Sequence, residues 1–252
     1  MSIDFNIYSQ VYFEWNEPVP YKEFTITPIK FRNYYLFRNS YDVLAIDKNN
    51  IENGKYIGMS YLDFLVKILM NPEAPTCQIC KDKFVVILQL SLGAKSMSYR
   101  FDENGRTVLL IDGVEVKYKE FDDIRRIILY QNIPGYDDEY IDPDLKKDIE
   151  LANHLKGKNI EYPSAEKQIA LVTVETGLTR KEIEEMTYRE FLILFTTMSE
   201  SIDYKLNHAA ELQGTKFKQP IEHLIYKKKK NKYSDAFMDM GELKEKFKPI
   251  TG

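Results

Sequence analysis

Cys77 and Cys80 stand two residues apart and are the only cysteines in the chain. That gap lets two thiolates reach one zinc ion, or lets a dithiol cycle with its disulfide. A structural zinc needs two further ligands. There is no second cysteine pair, and His154, His208 and His223 lack the close spacing of a ligand pair. A redox CxxC follows a strand and opens a helix, whereas this one comes after Asn71-Pro72 and Pro75 and reads as a loop. Two small, inert thiols are the expectation. Asp137, Asp138, Glu139, Asp142 and Asp144 form a second cluster, of a type that can hold calcium or magnesium. The alternating ligands, central glycine and closing glutamate of a calcium loop are missing. Asp142-Pro143-Asp144 reads instead as acid at the start of a helix, where the dipole favours it. Lys227, Lys228, Lys229, Lys230 and Lys232, between Tyr226 and Tyr233, are the dense basic run. Lysines contact phosphate and tyrosines stack on unpaired bases, so the run suits single-stranded nucleic acid, a solvated helix end or an acidic protein. No phosphate loop, dinucleotide fingerprint, GxSxG elbow or HExxH is present. The expectation is a protein without catalytic residues, cofactor or metal.

The elements that would position these groups belong to a globular chain. It has 252 residues, 44% hydrophobic and 29% charged, enough for one large domain or two modest ones. A net charge of -4 gives no general attraction to nucleic acid or acidic lipid. The 18 tyrosines and 14 phenylalanines suit both wet cores and interfaces. The start, MSIDFNIYSQVYFEW, has no basic stretch before a long apolar run and is not read as a signal peptide. No window reads as a membrane span, so the cytoplasm is the expected location.

Residues 1–24, with Pro18 and Pro20, read as an extended aromatic arm. Thr27-Pro28 then reads as the cap and first turn of a helix through Phe31, Tyr34, Tyr35, Leu36, Tyr41 and Leu44. The heptapeptide Met59-Ser60-Tyr61-Leu62-Asp63-Phe64-Leu65 returns as Met186-Thr187-Tyr188-Arg189-Glu190-Phe191-Leu192. Each copy places a hydroxyl three residues before a carboxylate, ahead of an apolar run, which predicts two helices with the same start. Either each copy begins a docking helix, or two ordinary helices share a cap. FVVILQLSL at 84–92 is compatible with a buried strand or a buried helix. SYRFD, TVLLID and VEVKY, separated by Asn104-Gly105 and Gly113, predict an antiparallel meander, and Glu120 to Tyr130 predicts a helix over it. NIPGYDDEYIDP reads as a domain boundary. Helices then follow from Pro143, from Ser164 to Gly177, from Thr179 and from Thr187.

Taken in order, Thr25-Ile26-Thr27-Pro28, MSYLDFL, the meander and FDDIRRIILYQNIPGYDDEYIDPDLKKDIE resemble bacteriophage tail and baseplate morphogenesis proteins, in particular baseplate hub assembly chaperones of long-tailed phages. The resemblance covers roughly residues 24–240 and implies a non-enzymatic protein that binds other tail or baseplate proteins in the host cytoplasm or the virion tail. It implies no catalytic residues. The expected fold is α+β, with a meander in the N-terminal half and a mainly helical C-terminal half. The expected division is an arm at 1–24, an α+β domain at 25–133, a helical domain at 134–240 and a charged tail at 241–252. Partner contacts are expected at Tyr61, Phe64, Tyr188, Phe191 and Phe195, whose helix faces read equally as core, and at Lys227, Lys228, Lys229 and Lys230. Self-association is compatible with these faces; nucleic acid and membrane are not expected partners. The competing readings are a nucleic-acid-binding regulator gripping through Lys227 to Lys232, and an enzyme built from Cys77, Cys80 and the acidic cluster.

Overall fold

The computed structural model describes residues 3–46, 48, 51, 53–138, 147, 149, 151, 163–217 and 220–225. The fold is α+β, with small antiparallel sheets in the N-terminal half and helices in the C-terminal half. The chain divides into two compact units, one of Met1–Asp138 with Gln168–Thr196, the other of Glu139–Lys167 with Thr197–Gly252. The first unit therefore takes in residues 1–24 and part of the expected helical domain.

Residues 1–24 are not an extended arm where they are described. Asp4 caps α1 (Phe5–Tyr8), its Oδ1 accepting from Asn6 N at 3.0 Å and Ile7 N at 3.3 Å. The helix continues as a π-helical turn over Ser9–Phe13, closed by Glu14 N donating to Ser9 O at 2.9 Å. β1 (Val19–Tyr21) and β2 (Phe24–Ile26) then form a hairpin. The prolines stop the helix without preventing one before them, and burial of Phe13 and Val19 in the core outweighs the freedom of an arm.

Thr27 does not cap a helix. Its N–H and hydroxyl both donate to Ser91 O, at 2.8 and 3.0 Å, and the Ile29 N–H is held by Asn132 Oδ1 at 2.7 Å. With these donors satisfied by distant segments, the chain stays extended to Lys30. A 3-10 turn at Phe31–Asn33 then leads into α2 (Tyr34–Ser40), α3 (Asp42–Ala45) and α4 (Gly54–Ile57).

α5 (Tyr61–Phe64) begins where the first heptapeptide predicts, with Ser60 Oγ accepting from Asp63 N at 3.1 Å, and runs on as a π-helix over Leu65–Leu69. The segment 84–92 is helical, lying in α6 (Cys77–Leu92). Its 16 residues are helix length, and Phe84, Ile87, Leu88 and Ser91 are its buried positions, spaced at steps of three, one and three. Gly93 ends α6 with a φ of 66°.

β3 (Met97–Phe101), β4 (Thr107–Ile111) and β5 (Val114–Val116) form the expected antiparallel meander, in that spatial order. Asp112 and Gly113 join β4 to β5 with φ values of 50° and 84°, as a two-residue type I′ hairpin requires. α7 (Tyr118–Asn132) packs on the sheet, burying Phe121, Ile124 and Ile128. α8 (Ala165–Thr176), α9 (Arg180–Glu185) and α10 (Tyr188–Leu212) follow. Gly177 closes α8 at a φ of 74°, and Thr179 with Glu182 forms a reciprocal capping box at α9. Within the second unit, Tyr204 and His208 on α10 share a hydrogen bond of 2.9 Å, and His208 pairs with Glu211 at 3.3 Å. The expected helix after Pro143 and the tail at 241–252 lie outside the described residues, apart from positions 147, 149 and 151, which are helical. Among the described residues no helix is long and apolar enough to cross a membrane.

Candidate protein-contact surface

Both heptapeptides start helices, but they turn their aromatic residues inward. Phe64 and Phe191 are fully buried and Tyr61 nearly so. Tyr61 donates to Val43 O at 2.9 Å, and the Arg125 guanidinium stacks 4.3 Å from its ring centroid. Burial pushes the Tyr61 hydroxyl pKa well up, against the Arg125 charge, which lowers it. Phe191 stacks on Phe31 at 3.8 Å between centroids, and Phe195 continues the stack at 6.2 Å. Tyr188 is half-buried against Phe37 and Tyr34, at 5.5 and 6.5 Å. Tyr61, Phe64 and Phe191 are therefore core, which corrects their expected role at a partner contact. Hydrocarbon already sealed inside the fold gains nothing further from a partner. Lys227, Lys228, Lys229 and Lys230 lie outside the described residues, as do Glu139, Asp142 and Asp144.

The two caps differ in what their carboxylates reach. Glu190 makes a reciprocal box with Thr187: its N–H donates to Thr187 Oγ1 at 3.0 Å, and its Oε2 accepts from Thr187 N at 3.3 Å. Asp63, only 8% exposed, turns inward to β4. Its Oδ1 accepts from Thr107 N at 2.9 Å and Thr107 Oγ1 at 2.8 Å, and pairs with Lys67 Nζ at 2.8 Å. Its Oδ2 accepts from Ser60 Oγ at 2.8 Å. Burial alone would raise the Asp63 pKa, but the Lys67 ammonium, both Thr107 donors and the Ser60 hydroxyl outweigh it and hold the carboxyl at about 2. This network fixes a helix to a sheet.

Of the other chemical candidates, the two cysteines and Asp138 have described partners or positions. Cys77 and Cys80 sit on the first turn of α6, not in a loop, as free, half-buried thiols. Cys77 Sγ donates to Met70 O at 3.2 Å, and the preceding element is the π-helix at Leu65–Leu69, not a strand. Of the acidic cluster, Asp138 accepts from Tyr130 OH at 2.8 Å and pairs with Arg126 Nε at 2.6 Å, tying the chain to α7. Among the described residues no three His, Cys, Asp or Glu side chains are grouped to hold a metal.

Exposed apolar side chains are spread over the described residues, and three of them fall in the N-terminal segment. Phe5, Tyr8, Tyr12 and Phe13 pack on or within the core, with Phe5 4.7 Å from the Tyr130 ring and 4.2 Å from the Arg126 guanidinium. Ile7, Val11 and Trp15 are 57%, 51% and 72% exposed. They recur at steps of four, Ile7 in α1, Val11 in the π-helical turn and Trp15 in the turn that follows it. The π-helical turn admits an extra residue, which lets adjacent Tyr12 and Phe13 both face inward. Glu17 O accepts from Gln131 Nε2 at 3.0 Å, and Asn16 Oδ1 accepts from Thr187 Oγ1 at 2.7 Å, so the end of the segment is held as well. Residues 3–17 carry Asp4, Glu14 and Glu17 and no cationic side chain. The result is a preformed apolar stripe, edged by carboxylates and fastened to the core of the first unit. Sequence reasoning missed it because the two prolines drew the whole segment into one extended reading. The period of four at 7, 11 and 15, with Asp4 as a cap, was the available signal. Comparison of the chain with family models, curated proteins and solved structures finds no match.

Proposed function

We propose that this protein acts by docking onto another protein through the outer face of its N-terminal helix and the turn that follows it, and performs no bond-making chemistry. The observation that carries this reading is the exposure of Ile7, Val11 and Trp15 on a segment whose remaining aromatic residues are bolted to the core. A helix already formed and held pays little ordering entropy on binding, and a tryptophan flanked by aliphatic side chains is the residue type that anchors interfaces. The carboxylates beside the stripe favour an apolar groove rimmed by lysine or arginine. The order of sequence segments that resembles baseplate hub assembly chaperones supplies the partner class: a phage tail or baseplate subunit, met during assembly.

The test is co-purification of the full chain with tail and baseplate subunits encoded beside it, for the wild type and for Trp15→Ala. Capture of a subunit that is lost in the variant supports the proposal. Capture unaffected by Trp15→Ala refutes the helix as the contact, and capture of proteins outside the tail assembly, lost in the variant, refutes the partner class alone.

A further inference from the structure

The meander has one edge strand built to pair. β3 has five residues and lies at the outside of the sheet, whereas the other edge, β5, has three. The hydrogen bonds Asp112 N to Ser96 O (3.0 Å) and Asp102 N to Arg106 O (2.9 Å) flank the β3–β4 ladder. Antiparallel pairs alternate between bonded and non-bonded, so between these two the bonded pairs are Ser98 with Leu110 and Arg100 with Val108. Met97, Tyr99 and Phe101 therefore point their N–H and C=O groups away from β4, along the open edge.

The side chains of the same three residues share the face of β4 that carries Thr107, Leu109 and Ile111, all buried. That face is the core side of the sheet. On β3 it runs out from under its cover: Tyr99 is 40% and Phe101 53% exposed, their rings edge to face at 6.1 Å. Edge strands are commonly blunted by an unpaired charge, a proline or shortness. β3 has no proline, and its one charged side chain, Arg100, is paired with Glu115 at 2.6 Å across its own sheet.

We infer that β3 is a self-pairing edge, on which a second copy of this chain docks antiparallel about a two-fold axis through Tyr99. In that register Tyr99 faces Tyr99 of the other copy, and Met97 faces Phe101. These are the positions whose backbone groups point outward, so every one of them is satisfied by the same residue set of the second copy, and the two meanders become one continuous sheet. Arg100 falls opposite Ser98. Just beyond the strand ends, exposed Lys95 comes beside exposed Glu103. Shifting the register by two sets Arg100 against Arg100 or leaves Phe101 without an apolar neighbour, so charge and side-chain type both select the Tyr99-centred pairing. This surface is a different element from the N-terminal helix and does not rest on the function proposed above.

Sedimentation of the full chain over a wide concentration range tests the inference, together with three variants. The wild type is expected to pass from monomer to dimer. Tyr99→Pro removes an outward N–H while leaving the β4 ladder intact, and Phe101→Lys places a charge against the opposite methionine; each is expected to weaken dimerisation at least tenfold with unchanged circular dichroism. In a Cys77→Ser, Cys80→Ser background, Tyr99→Cys puts two thiols on the axis, where a bonded antiparallel pair stands about 5.5 Å apart between Cα atoms, within disulfide reach. Mild oxidation is expected to cross-link that variant and not Ser98→Cys, whose two copies are offset along the strands. A wild type that stays monomeric throughout overturns the inference. So does a dimer that survives Phe101→Lys, or equal cross-linking of Tyr99→Cys and Ser98→Cys. Should Tyr99→Pro fail to fold, Phe101→Lys and the cross-linking pair still decide.

Discussion

Replacing Asp63 by asparagine removes the charge that joins α5 to β4 while keeping the side chain's shape. The wild-type carboxyl is held at about 2 in the folded protein, whereas an unfolded aspartate titrates near 3.9. A difference of that size corresponds to about 2–3 kcal/mol of folding free energy at neutral pH. Because the folded value is the lower one, the contribution is complete above roughly pH 4, declines as the pH falls, and is gone once the pH passes below about 2. Asp63→Asn has no such contribution to lose. The amide also presents one oxygen where the carboxylate used two, so Ser60 or Thr107 loses an acceptor. Urea unfolding followed by circular dichroism, run on both proteins between neutral and strongly acid pH, gives the difference directly, and the chain's other carboxylates cancel in it. The expected result is a destabilisation of about 2–3 kcal/mol at neutral pH, narrowing steadily below about pH 4. A gap that stays constant with pH would place the effect in shape alone, and no gap at neutral pH would mean that the network contributes nothing.

Other perturbations separate core from surface. Phe191→Ala empties a fully buried stack against Phe31 and is expected to cost about 3–5 kcal/mol in the same unfolding assay. Asn132→Ala strands the buried Ile29 N–H that its Oδ1 accepts from at 2.7 Å, for an expected loss of about 1–3 kcal/mol. Trp15→Ala is expected to leave folding stability within about 0.5 kcal/mol of the wild type. The same change is expected to weaken binding of the partner about 30-fold or more in titration calorimetry, the effect of losing an anchor residue.

Local features were legible in the sequence and long-range ones were not. Ser60 with Asp63 and Thr187 with Glu190 announced helix starts because a cap is made within four residues. The Asp112-Gly113 hairpin was readable for the same reason, since its backbone demands residues tolerant of positive φ. Thr27 was misread because a threonine before proline writes the same signal whether it caps a helix or, as here, bonds Ser91 far along the chain. The segment 84–92 was undecidable because a continuous apolar run has no period. Tyr61 and Phe64 occupied a face that the pattern identifies as apolar, and only the placement of α7 against α5 determines that it is interior. Of the contact surface, the sequence contained the spacing of Ile7, Val11 and Trp15, but which face of a short helix stays outside depends on the Tyr130 and Arg126 side chains that capture Phe5.

Trp15 is the chain's single tryptophan and stands in water, which makes it a built-in reporter of the docking face. Replacing it biosynthetically by 5-hydroxytryptophan allows it to be excited apart from tryptophans of an added tail or baseplate subunit. The expected result on mixing is a shift of its emission to the blue, with loss of quenching by acrylamide, both saturating at the stoichiometry of the complex. A complex that forms while the emission and quenching of position 15 remain those of the free protein contradicts docking through this helix.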